Sequence, residues 1–397
     1  MKVLLLTQVL PYPPDSGPKV KTWNVLKYLV QKHDVTLVSF VRGDQSKDIQ
    51  HLQKYCQAVH TVQMKRHPLL DMWYMARSFI TNEPFMMERD DRADMRRLIE
   101  LLTQGTQFDV AHADQLNMGQ YALRVTGART ILDLHNALWV LYKRLADTMP
   151  FGPKKILLNR DWQLLKRYEG KMCNDFDAVL AVSHEDKLAL EEAMGHASDM
   201  PVIPIAVDTD EDSAIDRHEN ADHIFHIGTM YWPPNIDGIL WFINEIYPLI
   251  RAARPDVVFD VVGSRPPESI TRLHGTDGIN ITGYVEDPTM YYKQTGVMIV
   301  PLRAGGGMRV KILNALSQAL PMVSTTLGAE GINVTHGDNI LIADEPQDFA
   351  NAVLRLLEDK TYAHELGTNG RKLMQQQYDY RVVCTPLDEI YMRRTGF

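Results

Sequence analysis

A chain of 397 residues is long enough for two domains, and 45% hydrophobic content lets each bury a core. The net charge of −8 argues against nucleic-acid binding as the main task; the acidic excess falls after residue 200, while the first half is nearly balanced. Cys56, Cys173 and Cys384 lie far apart and fit no metal-ligand spacing, as expected of a reduced, cytoplasmic protein. No run approaches the roughly 18 apolar residues of a bilayer span. The opening MKVLLLTQVLPYPP does not read as a secretory signal.

The first half alternates strand and helix patterns. Strands are expected at 3–6, 34–41, 59–64, 109–113, 130–134 and 177–182. The loop PYPPDSGP leads into a helix at 19–31, where Val20, Trp23, Leu26, Leu29 and Val30 recur near helical spacing. The second half repeats the plan, with strands at 223–227, 257–262, 279–282, 297–301, 322–325 and 339–342. Its helices fall at 235–253, 346–358 and 360–377, and Pro248 is expected to bend or break the first. Strands alternating with helices imply parallel sheets covered on both faces. The expected class is therefore α/β, with two Rossmann-like, doubly wound domains at 1–206 and 207–378. The amphipathic stretch 379–397 either docks back onto the first domain or packs on its own.

The densest chemical signal is GGGMRVKILNALSQALPMVST, residues 305–325. Three glycines follow a strand and open an apolar-periodic helix, with Arg309 and Lys311 in its first turns. Glycines let backbone N–H groups approach a ligand, and a helix N-terminus favours negative charge. A guanidinium and an ammonium beside them make a diphosphate clamp. The bland alternative is a plain strand–turn–helix connection. There is no P-loop, and no GxGxxG after the first strand, which disfavours an NAD enzyme. Asp208 and Asp210 belong to an interdomain segment rather than a metal site.

This segment resembles the donor loop of the family-4 retaining glycosyltransferases, in the branch reading GGG-x-R-x-K. PYPPDSGPKVKTWNVLKYL, FDVAHADQ, ILDLHNALW, VIPIAVDTD, IFHIGTMYWPPNIDGILWF, VVGSRPP and GYVED resemble further pieces of the family, in the same order. The resemblance implies the GT-B fold, in which two Rossmann-like domains face each other across a cleft. It implies transfer of a sugar, hexosyl in type, from a nucleotide diphosphate sugar to a hydroxyl acceptor, with no cofactor or metal. The acceptor is a glycan, a lipid-linked sugar or a small molecule. Donor contacts are implied for Gly17, Gly228, Thr229, Tyr284, Val285, Gly306, Gly307, Met308, Arg309, Lys311 and Asn314. Asp114, His135 and Arg309 are the implied catalytic group, with His112 a rival on the same strand face as Asp114.

Two departures stand out. Gly306 and Asn314 occupy the positions of the family's paired glutamates, the second of which normally holds the ribose. The loop GTMYWPPN carries none of the basic residues expected there, so Arg309 and Lys311 would hold the diphosphate. A sugar-nucleotide epimerase or hydrolase, and a non-catalytic sugar-nucleotide binding protein, are the competing readings. Asp114 and His135 also fit helix-cap roles, and Lys19 and Lys21 read either as surface lysines or as groups near an anion. Residues 65–89 and 153–171 mix basic and apolar side chains. They fit either peripheral membrane contact, including a lipid-linked acceptor, or helices packed on the core with solvated basic faces.

Overall fold

The computed structural model describes residues 1–393, so 394–397 of the expected C-terminal segment lie outside the described residues. The chain forms two compact units. Unit 1 is Met1–Ala206 with the C-terminal stretch from Tyr380, and unit 2 is Val207–Asp379.

Unit 1 holds six strands: β1 (Lys2–Thr7), β2 (Asp34–Val41), β3 (Ala58–Gln63), β4 (Val110–Asp114), β5 (Arg129–Asp133) and β6 (Ala178–Leu180). They pair in parallel in the order β3-β2-β1-β4-β5-β6. Side chains alternate across a strand, and the two faces feed separate cores. Leu4, Leu6, Ala111, Ala113 and Leu132 join one; Val3, Leu5, Val110 and Ile131 join the other. The second core also takes Trp23 and Leu26 of the helix Gly17–Leu29, and Leu387, Ile390 and Tyr391 of the helix Pro386–Met392.

Unit 2 repeats the topology with β7 (His223–Ile227), β8 (Phe259–Val262), β9 (Ile279–Thr282), β10 (Thr295–Val300), β11 (Met322–Ser324) and β12 (Leu341–Ile342). The parallel order is β12-β11-β10-β7-β8-β9. The expected helix over 235–253 is present without a break. It runs as Pro233–Trp241, a wider π turn Phe242–Ile246, and Tyr247–Ala253. Pro248 lacks an N–H and crowds the carbonyl four residues back. The widened turn just before it carries the helix past that defect.

In each sheet the strand order reverses once, between β1 and β4 and between β7 and β10. Ligands of open α/β sheets bind outside the carboxyl ends of the strands at such a reversal. The loops after these four strands are therefore where chemistry is expected.

Candidate functional site

In unit 2 the loops after β7 and β10 are brought together by one side chain. The second loop ends in the helix Val310–Ser317, for which Arg309 is the cap residue rather than a helical one. Gly305 and Gly307 adopt φ of +117° and +78°, which side chains with a Cβ resist. The Arg309 guanidinium turns back to donate to the carbonyls of Gly306 and Gly307, and Met308 is buried. Lys311, in the first turn, reaches across to β7. Its ammonium donates to Asn235 Oδ1 at 3.1 Å and lies 3.4 Å from His226 Nε2. Asn235 Nδ2 in turn donates to the Thr229 carbonyl at 2.8 Å. A Cβ on Gly228 would stand 2.6 Å from the Lys311 ammonium, so glycine there is what lets the lysine in.

Around Lys311 the electrostatics are set by neutral and cationic neighbours. His226 Nδ1 faces the Ile299 carbonyl at 3.0 Å. Burial and the adjacent Lys311 hold the ring well below its usual value, so His226 is neutral and offers Nε2 as an acceptor. Burial and the Arg309 guanidinium pull the Lys311 ammonium down to about 7. No carboxylate pairs with Lys311 among the described residues. Two cationic side chains at the positive end of a helix disfavour one another and favour an anion. Asn314 is partly buried one turn further on. Tyr284 and Val285 follow β9, two strands away from the reversal, and Tyr284 is 74% exposed.

In unit 1, His112, Asp114 and Asp133 share the sheet face covered by the helix Gly17–Leu29, because β4 and β5 pair Asp114 with Asp133 in register. All three are buried. His135 Nε2 meets Asp114 Oδ1 at 2.9 Å, and Thr22 Oγ1 lies 3.0 Å from both Asp114 oxygens. Asp133 takes the Lys21 ammonium at 2.5 Å. His112 Nε2 stands 3.6 Å from its other oxygen, and Tyr391 Oη is 2.5 Å from His112 Nδ1. Burial raises the Tyr391 phenol far above its usual value, so it donates to Nδ1 and leaves the His112 Nε2 proton facing Asp133. Although burial opposes ionisation, Lys21 and then His112 hold the Asp133 carboxyl far below the usual carboxylate range.

Lys21 corrects the reading of it as a surface lysine, and the anion beside it is the Asp133 carboxylate. It is 1% exposed, neither a surface lysine nor open to a donor anion, because the helix carrying it is sandwiched between sheet and C-terminal helix. Lys19 pairs with Asp15 at 3.0 Å, and Gly17 opens the helix. Asp114, Asp133 and His135 each place a ligand atom within 4.8 Å of the others, a set that suits a cation in donor type. The Lys21 ammonium already stands against Asp133 and offsets its charge. His226 and Asn235 were not singled out from the sequence. The available signals were a polar residue inside an apolar strand, IFHIG, and an amide just after the Pro-Pro step.

Residues 16–211 match the family described as Glycosyltransferase Family 4, and residues 221–359 match Glycosyl transferases group 1. The chain is built of two glycosyltransferase domains. Solved structures agree on the GT-B fold. HepE from Anabaena, determined with UDP, is 16% identical, with a TM-score of 0.68 over 98% of this chain and 99% of that one. Sucrose-phosphate synthase from Thermosynechococcus elongatus is 15% identical, with a TM-score of 0.70 over 98% of both chains. An uncharacterized 44.6 kDa protein in the cps region of Klebsiella pneumoniae is 22% identical, over 97% of this chain and 98% of its own length. The loop joining β10 to the helix Val310–Ser317 thus lies within the group 1 domain, and the Asp114–His135 pair within the family-4 domain.

Proposed function

We propose that this chain is a metal-independent, retaining glycosyltransferase. It moves a hexosyl group from a nucleoside diphosphate sugar to an acceptor hydroxyl. The observation that carries this reading is the Lys311 ammonium, held by neutral partners between the two loops at the unit 2 strand reversal. A diphosphate is the anion such an edge suits, since Arg309, Lys311 and the N-terminus of the helix Val310–Ser317 present charge and N–H groups from one loop. That HepE has been determined with UDP-glucose makes UDP-sugars the first donors to test.

In the proposed reaction the bond from the anomeric carbon to the diphosphate oxygen breaks, and its electron pair leaves with the diphosphate. The acceptor oxygen forms the new bond on the same face of the sugar as its O–H bond breaks, and the proton passes to the departing diphosphate oxygen. Charge develops on the departing diphosphate, and preorganised cations stabilise it most at that moment. The sugar ring carries oxocarbenium character, as in glycoside hydrolysis. We assign His135 to the sugar or acceptor. Asp114, being buried, acts through it by fixing the ring. Asn314 replaces a charged ribose ligand by a neutral amide, which can still donate and accept.

Nucleotide release from UDP-sugars, measured with and without candidate acceptors, tests the reading. Acceptor-dependent release is expected, and Arg309→Ala and Lys311→Met should each lower it about a hundredfold or more. Acceptor-independent consumption of donor would favour the hydrolase or epimerase reading. Wild-type turnover in both variants would contradict the clamp.

A further inference from the structure

The helix Pro68–Thr81, PLLDMWYMARSFIT, is mostly apolar, yet Ser78 is its only buried residue. Leu69, Met72, Trp73, Ala76 and Ile80 recur at helical spacing and form one outward stripe. Leu69 and Met72 are each 69% exposed and Ile80 is 85% exposed. A second apolar stretch stands beside this helix. Arg160, on the helix Pro153–Asp175, donates to the Ser78 carbonyl at 2.7 Å and stacks 4.1 Å over the Phe79 ring. Within about a turn of Arg160 on the same helix, Ile156 and Leu157 are exposed, and Phe151 just before it is 90% exposed. These two stretches hold nine of the 22 large apolar side chains exposed among the described residues.

The charge carried by these stretches is opposite to that of the chain. Residues 65–81 and 153–160 contain six Lys/Arg against one Asp, in a chain whose net charge is −8, and of the six Arg77 is paired with Glu88. Of the readings offered by the sequence, a core-packed helix with a solvated basic face does not describe 68–81, because its apolar stripe is the solvated part.

We propose that this face of unit 1 docks on the surface of an anionic lipid bilayer. Exposed apolar side chains with a tryptophan among them, flanked along the chain by lysine and arginine, match the two layers of such a surface, acyl chains below and anionic headgroups above. A second copy of the chain is the poorer occupant. A two-fold contact would set this positive face against itself. No helix of the described residues is long and apolar enough to cross a membrane, so the contact is peripheral. The proposal stands apart from the transferase reading, and its test reads binding rather than turnover.

The test is co-sedimentation of the full chain with phosphatidylcholine vesicles, with and without phosphatidylglycerol. Binding is expected to rise about tenfold or more with the anionic lipid, and to fall at high salt as the charges are screened. Tryptophan fluorescence should shift to the blue on binding, and Trp73→Phe should remove the shift, since the other five tryptophans lie outside this face. The triple variant Leu69→Glu, Met72→Glu, Ile80→Glu should lose the binding, while Leu101→Glu, an exposed leucine on the separate helix Ala93–Gly105, should keep it. Should the triple variant fold poorly, Lys65→Glu with Lys154→Glu supplies the same readout through charge alone. Binding that ignores lipid charge, binding retained by these variants, or wild-type self-association that the triple variant abolishes without any vesicle binding, would overturn the proposal.

Discussion

The residue that decides most is Lys311. Burial and Arg309 lower its ammonium to about 7, and a diphosphate beside it would restore the charge. Affinity for a nucleotide sugar should therefore be full below that value. It should weaken by up to about tenfold per pH unit above it. Calorimetric titration between mildly acidic and mildly alkaline pH checks this, with Lys311→Met expected to be weak and pH-independent. A nucleotide sugar is the right ligand, because its diphosphate diester does not itself titrate there. In unit 1 the counterpart is Asp133. Asp133→Asn would leave the Lys21 ammonium buried without its counter-charge and cost about 3–5 kcal/mol, read as a lower urea midpoint. Because the folded carboxyl lies below its unfolded value, its contribution is present above about pH 4. That contribution is lost as pH falls through the folded value. Neither group's setting was legible in the sequence. Lys311 meets partners 76 and 85 positions away, and Lys21 pairs with a residue 112 positions away.

At the scale of elements, the loops depend on close backbone approach. A Cβ on Gly228 would meet only the far end of a flexible side chain at its nearest contact, the Lys311 ammonium. Gly228→Ala should therefore keep the fold but displace the ammonium, lowering donor affinity about tenfold with little change in melting temperature. Gly263 differs. A Cβ there would fall 1.7 Å from the Gly228 carbonyl oxygen, and backbone cannot step aside, so Gly263→Ala should destabilise unit 2 by about 1–3 kcal/mol. Thermal melts of the two variants separate a site effect from a fold effect. Much of the element pattern was legible, because apolar runs bounded by Pro, Gly and Asp mark buried parallel strands. The π turn before Pro248 was not. A sequence shows that proline cannot continue a regular helix, but not which distortion absorbs it.

For the whole molecule, the two sheets share one strand order with one reversal each, and both halves match glycosyltransferase domains. The alternating pattern carries the α/β class by itself. GT-B rested on the order of loop motifs, and solved structures of that fold now bear it out. The sequence also flagged the missing basic residues after β7. The structure adds what orients Lys311 at this edge, neutral His226 within β7 and Asn235 at the far end of the loop. The central claim is that this edge of unit 2 holds a nucleoside diphosphate sugar through Lys311 and Arg309. The most direct measurement is calorimetric titration of UDP-glucose and other nucleotide sugars into the full chain, alongside Lys311→Met. At least one donor should bind the wild type at micromolar strength, about 8 kcal/mol of binding free energy, and bind the variant at least about tenfold more weakly. Equal affinity in the two proteins would contradict the claim.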